Sequence, residues 1–176
     1  MLEDIKIHSI AFSRTAGLMD NGSWKEAAEI LESIPVLAKH RDSHNDNLLN
    51  LASSYPGGLD MLSKLIEFGS DQDVVSESGN TALANAVLGG KSYGPTTLPE
   101  LTFLLKQGSD PNLIGPSGYP PLHWAIYHNR LDHAKTLLEF DADPFKKTSD
   151  LYPEDAFDVA RSEKNQEALH LLDKWK

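Results

Sequence analysis

Two short runs in this 176-residue sequence combine residue types that can do chemistry. Gly89-Gly90-Lys91-Ser92 ends like a phosphate-binding loop, in which backbone N–H groups and a lysine cradle phosphate oxygens. That loop needs an earlier glycine at position 85, which is Asn85, and a strand before it, whereas the preceding residues have helical spacing. The run is therefore read as a loop joining two helices. His40, Asp42, His44 and Asp46 are donor types that suit zinc or nickel. They fall in a stretch read as a hairpin, where no helix face fixes their spacing, so no metal is expected. The chain has no cysteine, which excludes disulfides, thiolate nucleophiles, zinc–cysteine knuckles and iron–sulfur clusters. No Ser-His-Asp, paired-carboxylate or Gly-x-Ser-x-Gly pattern stands out, so neither catalysis nor a cofactor is expected.

Charge narrows the choice of partner. Sixteen Lys and Arg oppose 26 Asp and Glu, for a net charge of −10. Such a chain repels phosphate backbones and anionic headgroups, so the expected partner is a basic or neutral protein, with neither nucleic acid nor membrane. The acid is uneven: residues 1–88 hold 6 basic and 13 acidic residues, and 89–176 hold 10 and 13. Hydrophobic residues at 40% and charged residues at 24% fit a folded chain. The N-terminus carries early acids without an unbroken apolar core, and no window approaches the ~20 apolar residues of a membrane span, so a cytoplasmic protein is expected.

The elements that must position these residues recur along the chain. Gly118-Tyr119-Pro120-Pro121-Leu122-His123-Trp124-Ala125 is followed by Leu137-Leu138 and Asp141-Ala142-Asp143-Pro144. Gly79-Asn80-Thr81-Ala82-Leu83-Ala84-Asn85-Ala86 has the same form, followed by Leu104-Leu105 and Gly108-Ser109-Asp110-Pro111. The endings Asp110-Pro111 and Asp143-Pro144 lie 33 residues apart. A third copy runs through Asn47-Leu48-Leu49 to Gly69, and a fourth through Ala156-Phe157 to Leu171-Leu172. Each copy carries two apolar stripes at helical spacing, which a lone helix pair cannot bury, so the copies must stack. Gly69 and Gly108 stand where a left-handed helix C-cap favours glycine, and Asp141 replaces them in the next copy.

The sequence resembles the ankyrin repeat family, whose period is about 33 and whose signature is Thr-Pro-Leu-His-x-Ala. Pro120 stands where that family usually has Thr. The resemblance covers about residues 42–176 and implies an all-α solenoid of stacked antiparallel helix pairs with short inter-repeat hairpins. The expected division is a diverged capping pair at 1–41, then repeats at 42–74, 75–114, 115–147 and 148–176. The second repeat carries an inter-helix insertion at 89–97, and the last is the C-terminal cap. In the capping pair, Ile7, Ile10, Ala11, Arg14 and Leu18 are read as a first helix ending at Asn21-Gly22, and Ser23 as the cap of a second.

In that family partners meet the hairpin tips and the exposed face of the first helix of each pair. Carried over by register, the resemblance implies partner-binding positions at Tyr119, Tyr127 and His128, with Trp124 inward and His123 bracing a neighbouring turn. One repeat earlier it points to Glu77 and Asn80, beside the acidic Asp73, and before that to Tyr55. One repeat later it points to Lys146 and Tyr152. Tyr93 lies in the insertion. The expected function is non-catalytic binding of a protein partner through the concave groove and hairpin tips, by a chain that is a monomer when free. A sharper expectation is an immunity or antitoxin-like protein that neutralises a basic enzyme. An adaptor, scaffold or regulatory subunit would use the same surface, and a ligand sensor or enzyme would place its site near Tyr127 and His128. The chain can also be a fragment of a larger protein.

Overall fold

In the computed structural model, which describes residues 2–77, 80–89, 96–115 and 117–176, regular structure among the described residues is helical. Five helices form an inner row: α1 (Leu2–Asp20), α3 (Leu48–Ala52), α5 (Ala82–Leu88), α7 (Pro121–Tyr127) and α9 (Ala156–Ser162). Five more form an outer row: α2 (Trp24–Ser33), α4 (Leu59–Glu67), α6 (Leu98–Lys106), α8 (Leu131–Glu139) and α10 (Gln166–Leu172). Each inner helix packs on its own outer partner and on the next inner helix, and the outer row packs along itself in the same way. The result is a two-layered stack of helix pairs.

Local chemistry sets the ends of these short helices. Three of the inner helices have a side-chain N-cap at equivalent places. Asn47 Oδ1 accepts the Asn50 N–H at 2.8 Å, Thr81 Oγ1 the Ala84 N–H at 3.1 Å, and Asp155 Oδ1 the Asp158 N–H at 3.0 Å. Each such cap stabilises its helix by about 1 kcal/mol. Helix α7 has Pro120 at that place and relies instead on the preset φ of Pro121 in its first turn. The outer helices end as their spacing predicts: Gly69, Gly108 and Asp141 have φ of +85°, +99° and +64°. The next N–H then closes back on the helix, Ser70 to Leu65, Ser109 to Leu104 and Ala142 to Leu137.

The core lies between the rows. Leu48 and Leu49, Leu83 and Val87, and Leu122 and Ile126 are buried from the inner side, and Leu62 and Leu65, Leu101 and Leu104, and Leu137 and Leu138 from the outer. A leucine buried in this way stabilises the fold by about 1.5–3 kcal/mol relative to an exposed one. Ala52, Ala86, Ala125 and Ala160 are fully buried at equivalent inner positions, where a larger side chain would hold neighbouring helices apart.

The first helix pair is present as expected, apart from the cap of its second helix. The buried stripe of α1 is Phe12, Thr15 and Met19, while Ile7 and Ile10 are 56% and 70% exposed. The helix has two apolar stripes, and the one facing the stack wins. The other leaves an aliphatic cleft of about 670 Å³ that also includes Ile30 of α2 and Ile34 just after it. Ser23 makes no side-chain cap: its N–H closes α1 on the Leu18 carbonyl at 2.8 Å and also donates to Asn21 Oδ1 at 3.1 Å.

Polar side chains stitch one repeat to the next. Asn47 and Asn50 donate to the carbonyls of Asp71 and Val74 at 2.8 and 3.1 Å. Asn112 donates to the Asp141 carbonyl at 2.9 Å and accepts the Asp143 N–H at 2.7 Å. Glu100, only 2% exposed, accepts the N–H groups of Gly57 and Gly58 at 2.5 and 2.8 Å through one oxygen. Its other oxygen takes the N–H and hydroxyl of Thr97 at 2.7 and 3.0 Å, so the buried carboxylate is fully solvated by donors.

The N-terminal end of α8, with Arg130 just before it, holds both Val87 and Thr96. The Arg130 guanidinium donates to the Val87 carbonyl, and the His133 Nε2 lies 2.9 Å from the Thr96 carbonyl. Thr96 is itself tied to the Ala86 carbonyl through its N–H and hydroxyl, each at 3.0 Å.

Candidate functional site

The inner face of α7 carries a continuous group of rings. Positions 124, 127 and 128 are three and four residues apart, so their side chains share one side of the helix end. The Trp124 ring lies 4.9 Å from Tyr119, 6.3 Å edge-on to Tyr127 and 6.0 Å from His128, which stacks on it at 18°. Tyr127 meets His128 edge-on at 5.1 Å and is 54% exposed. Trp124, expected inward, is half-buried: one part packs on the core and the rest carries the other three rings. The reason is crowding, because Leu122, Ala125 and Ile126 already fill the inward arc of so short a helix.

The hairpin after α8 orients this group. Tyr119 donates its hydroxyl to Asp150 Oδ2 at 3.1 Å, which holds the phenol proton and raises its pKa above the ordinary value. Asp150 also accepts the Thr148 hydroxyl at 3.0 Å and the Tyr152 N–H at 3.2 Å, building the turn at whose tip Leu151 and Tyr152 are 84% and 78% exposed. Phe145 stacks on the buried Phe157 at 5.5 Å and stays half exposed.

His123 is fully buried, and its Nε2 lies 3.0 Å from the Glu154 carbonyl, which ties α7 to the next hairpin. A carbonyl only accepts, so Nε2 carries the proton and Nδ1 keeps its lone pair. Nδ1 has no partner among the described residues. Burial holds this imidazole below its usual pKa, and so keeps it neutral. His128 is lowered for the same reason, with a smaller push from Arg130.

Between α7 and α9 lies a cleft of about 260 Å³, whose walls include Tyr119, Trp124 and Tyr127 on one side and Val159, Glu154 and Glu163 on the other. Among the described residues neither glutamate side chain has a hydrogen-bond or ion-pair partner. The larger cleft between α1 and α2 has mostly aliphatic walls and no such convergence of rings and carboxylates.

The other expected binding positions are not drawn into this group. Tyr55 sits edge-on to Trp24 at 6.5 Å, at the first helix pair. Asp73 accepts the Asp110 N–H at 3.2 Å, and its carboxyl is raised above the usual value by burial. Glu77 is exposed at a hairpin and its N–H donates to the His44 carbonyl at 2.8 Å. Asn80 is half-buried with its side-chain oxygen unpartnered among the described residues. Lys146 is half-buried in the hairpin that presents Tyr152. Tyr93 and the Gly90-Lys91-Ser92 run lie outside the described residues. No group of three or more metal-ligating side chains occurs among the described residues. Asp42 Oδ1 instead shapes its turn by accepting the N–H groups of His44 and Asp46 at 2.8 and 3.0 Å, and His40 packs on Phe12 at 5.3 Å. Sequence reasoning missed Leu151, Phe145 and the two glutamates of the cleft.

Helix pairs stacked in two rows, with an aromatic group on the inner row, define a helical repeat solenoid. The chain belongs to the ankyrin repeat family: the family model described as ankyrin repeats, in three copies, matches residues 36–148. The pair α9–α10 lies beyond that match and continues the packing. An ankyrin repeat protein of fowlpox virus (strain NVSL) is 30% identical over 89 residues, 48% of this chain and 14% of its own length. An intracellular phospholipase A2 of Caenorhabditis elegans is 29% identical over 157 residues, 84% of this chain and 14% of its own length. The chain thus spans about a seventh of each of these curated relatives. Ankyrin repeats generally mediate protein–protein interaction and are typically non-catalytic. Among the described residues no helix is long and apolar enough to cross a membrane.

Proposed function

We propose that this chain is a protein-binding module that engages a basic or neutral protein through the α7 face and the neighbouring hairpin tips, without catalysis. The observation that carries the reading is the ring group Tyr119, Trp124, Tyr127 and His128, half exposed on a rigid stack. Aromatic anchors of this kind supply most of the energy of protein interfaces, because they cover large area at little rotamer cost. The exposed Leu151 and Tyr152 extend the face onto the hairpin. The net charge of −10, more acidic in the first 88 residues, favours a partner of opposite sign and steers its approach. Masking of a basic enzyme, as an immunity or antitoxin-like protein would do, is the sharpest form of this reading. An adaptor or regulatory subunit is its alternative.

The test is direct binding. A protein captured by the native chain is purified, and its affinity is measured for the native chain and for a Tyr119→Ala, Tyr127→Ala double variant of unchanged helicity. Loss of affinity in the variant supports this face, and unchanged affinity removes it. Inhibition of an enzymatic activity of that partner separates neutraliser from adaptor.

A further inference from the structure

The cleft between α7 and α9 brings together features that one kind of side chain satisfies. Its volume of about 260 Å³ is just below the ~300–1,000 Å³ of small-molecule pockets, which suits the end of a single long side chain. One wall is aromatic, with the Trp124 and Tyr127 rings at 86° to each other. Ring faces carry negative potential and attract ammonium or guanidinium groups. The other wall holds Glu154 and Glu163, neither of them paired among the described residues, and no lysine or arginine lines the cleft. The nearby cations are engaged or placed elsewhere. Lys147 bonds Asp155 and Asp158 at 2.8 and 3.0 Å, Arg161 bonds Asp158 at 2.9 Å, and Lys164 lines the adjoining shallow groove. Two carboxylates beside apolar rings, with no lysine or arginine on the lining, give the cleft a negative potential.

We infer that this cleft is a subsite for one cationic side chain, a lysine or arginine of the bound protein, held between the Trp124 and Tyr127 rings and the carboxylates of Glu154 and Glu163. The inference rests on the reading of the α7 face as the partner surface and adds what that surface selects. An uncharged aliphatic side chain would gain the ring contacts but leave both carboxylates unneutralised, so charge discriminates here. Asp150, which fixes Tyr119 through its hydroxyl, is a positioning residue for the aromatic wall.

The subsite can be tested without knowing the partner. The probes are N-acetyl-lysine methylamide, N-acetyl-arginine methylamide and the neutral N-acetyl-norleucine methylamide, titrated into the full chain. The readout is the indole ¹H–¹⁵N signal of Trp124, one of three tryptophans, identified by its loss in Trp124→Phe. The expected result is a saturable shift with at least one cationic probe and at least fivefold weaker binding in a Glu154→Gln, Glu163→Gln double variant. The Trp24 signal should stay fixed, and norleucine should bind at least fivefold more weakly. No saturable shift, or an equal response to norleucine, overturns the subsite. Should the cationic probes fail while partner affinity still depends on Tyr119 and Tyr127, the face stands and the cation subsite falls. Should they bind while that affinity is indifferent to the tyrosines, the subsite stands apart from the proposed protein surface.

Discussion

Glu100 reaches back 42 residues to accept the Gly58 N–H at 2.8 Å, and the same oxygen takes the N–H of Gly57. A carboxylate buried at 2% exposure survives because four donors from two repeats surround it. Glu100→Ala leaves at least three backbone N–H groups without their acceptor, at about 1–3 kcal/mol for each that stays dry. A loss of about 3 kcal/mol or more is expected, lowering the thermal midpoint by roughly 6–12 °C for a chain of this size. Glu100→Gln keeps one acceptor oxygen and should lose less. Thermal unfolding followed by circular dichroism checks both, and a midpoint for Glu100→Ala within a degree of the native value would defeat the argument.

Leu122 is 1% exposed in the middle of the stack, with core neighbours in both helix rows. Leu122→Ala removes buried methyl groups and leaves a cavity, and should cost about 2–5 kcal/mol. The urea midpoint should fall with little change in its slope. A cost under 1 kcal/mol would mean that this layer collapses around the gap.

Tyr119 and Tyr127 flank Trp124 on the face proposed to bind. Replacing both with alanine should weaken partner affinity by about 2 kcal/mol or more, roughly thirtyfold in Kd. Because Tyr119 also bonds Asp150, the single Tyr127→Ala variant serves as the cleaner arm. Calorimetric titration measures both, and helicity and thermal midpoint report whether the fold is intact.

His123 and His133 are buried, and burial holds both imidazoles below their ordinary value of 6.5. Below about pH 6.5 the unfolded chain takes up protons that these rings refuse in the folded state. The unfolded state then binds more protons, so stability rises with pH across that window and is lost as the pH falls. The slope is at most about 1.4 kcal/mol per pH unit for each ring. Thermal midpoints should therefore drop between pH 7.5 and 5.5, and His133→Gln should flatten the trend. A level profile in the native chain contradicts this account.

The repeat register was legible because its signals are local. Gly69 and Gly108 mark helix ends by a conformation that favours glycine, and Leu-Leu pairs mark the outer row. Residues whose role depends on a neighbouring repeat were not legible. Glu100 reads as a surface acid until Gly57 and Gly58 are seen to present N–H groups to it from 42 and 43 residues away. Helix α1 has two apolar stripes, and its packing on α2 and α3 turns Phe12 and Met19 inward while Ile10 faces out. Tyr55 and His128 occupy equivalent places after their inner helices, yet Tyr55 meets a tryptophan from the first helix pair and His128 one from its own helix. The glutamates of the cleft carried no sequence signal, because Glu154 and Glu163 straddle a helix and join the aromatic wall only through the stacking of α9 on α7.

Arg130 and His133 join the start of α8 to Val87 and Thr96, so two neighbouring helix pairs are tied together at both of these residues. Arg130 and His133 act as a pair of clips between the pair α5–α6 and the helix that follows it. Through them a disturbance of α8 is passed to the preceding helix pair, as expected of a stack held together by nearest-neighbour contacts.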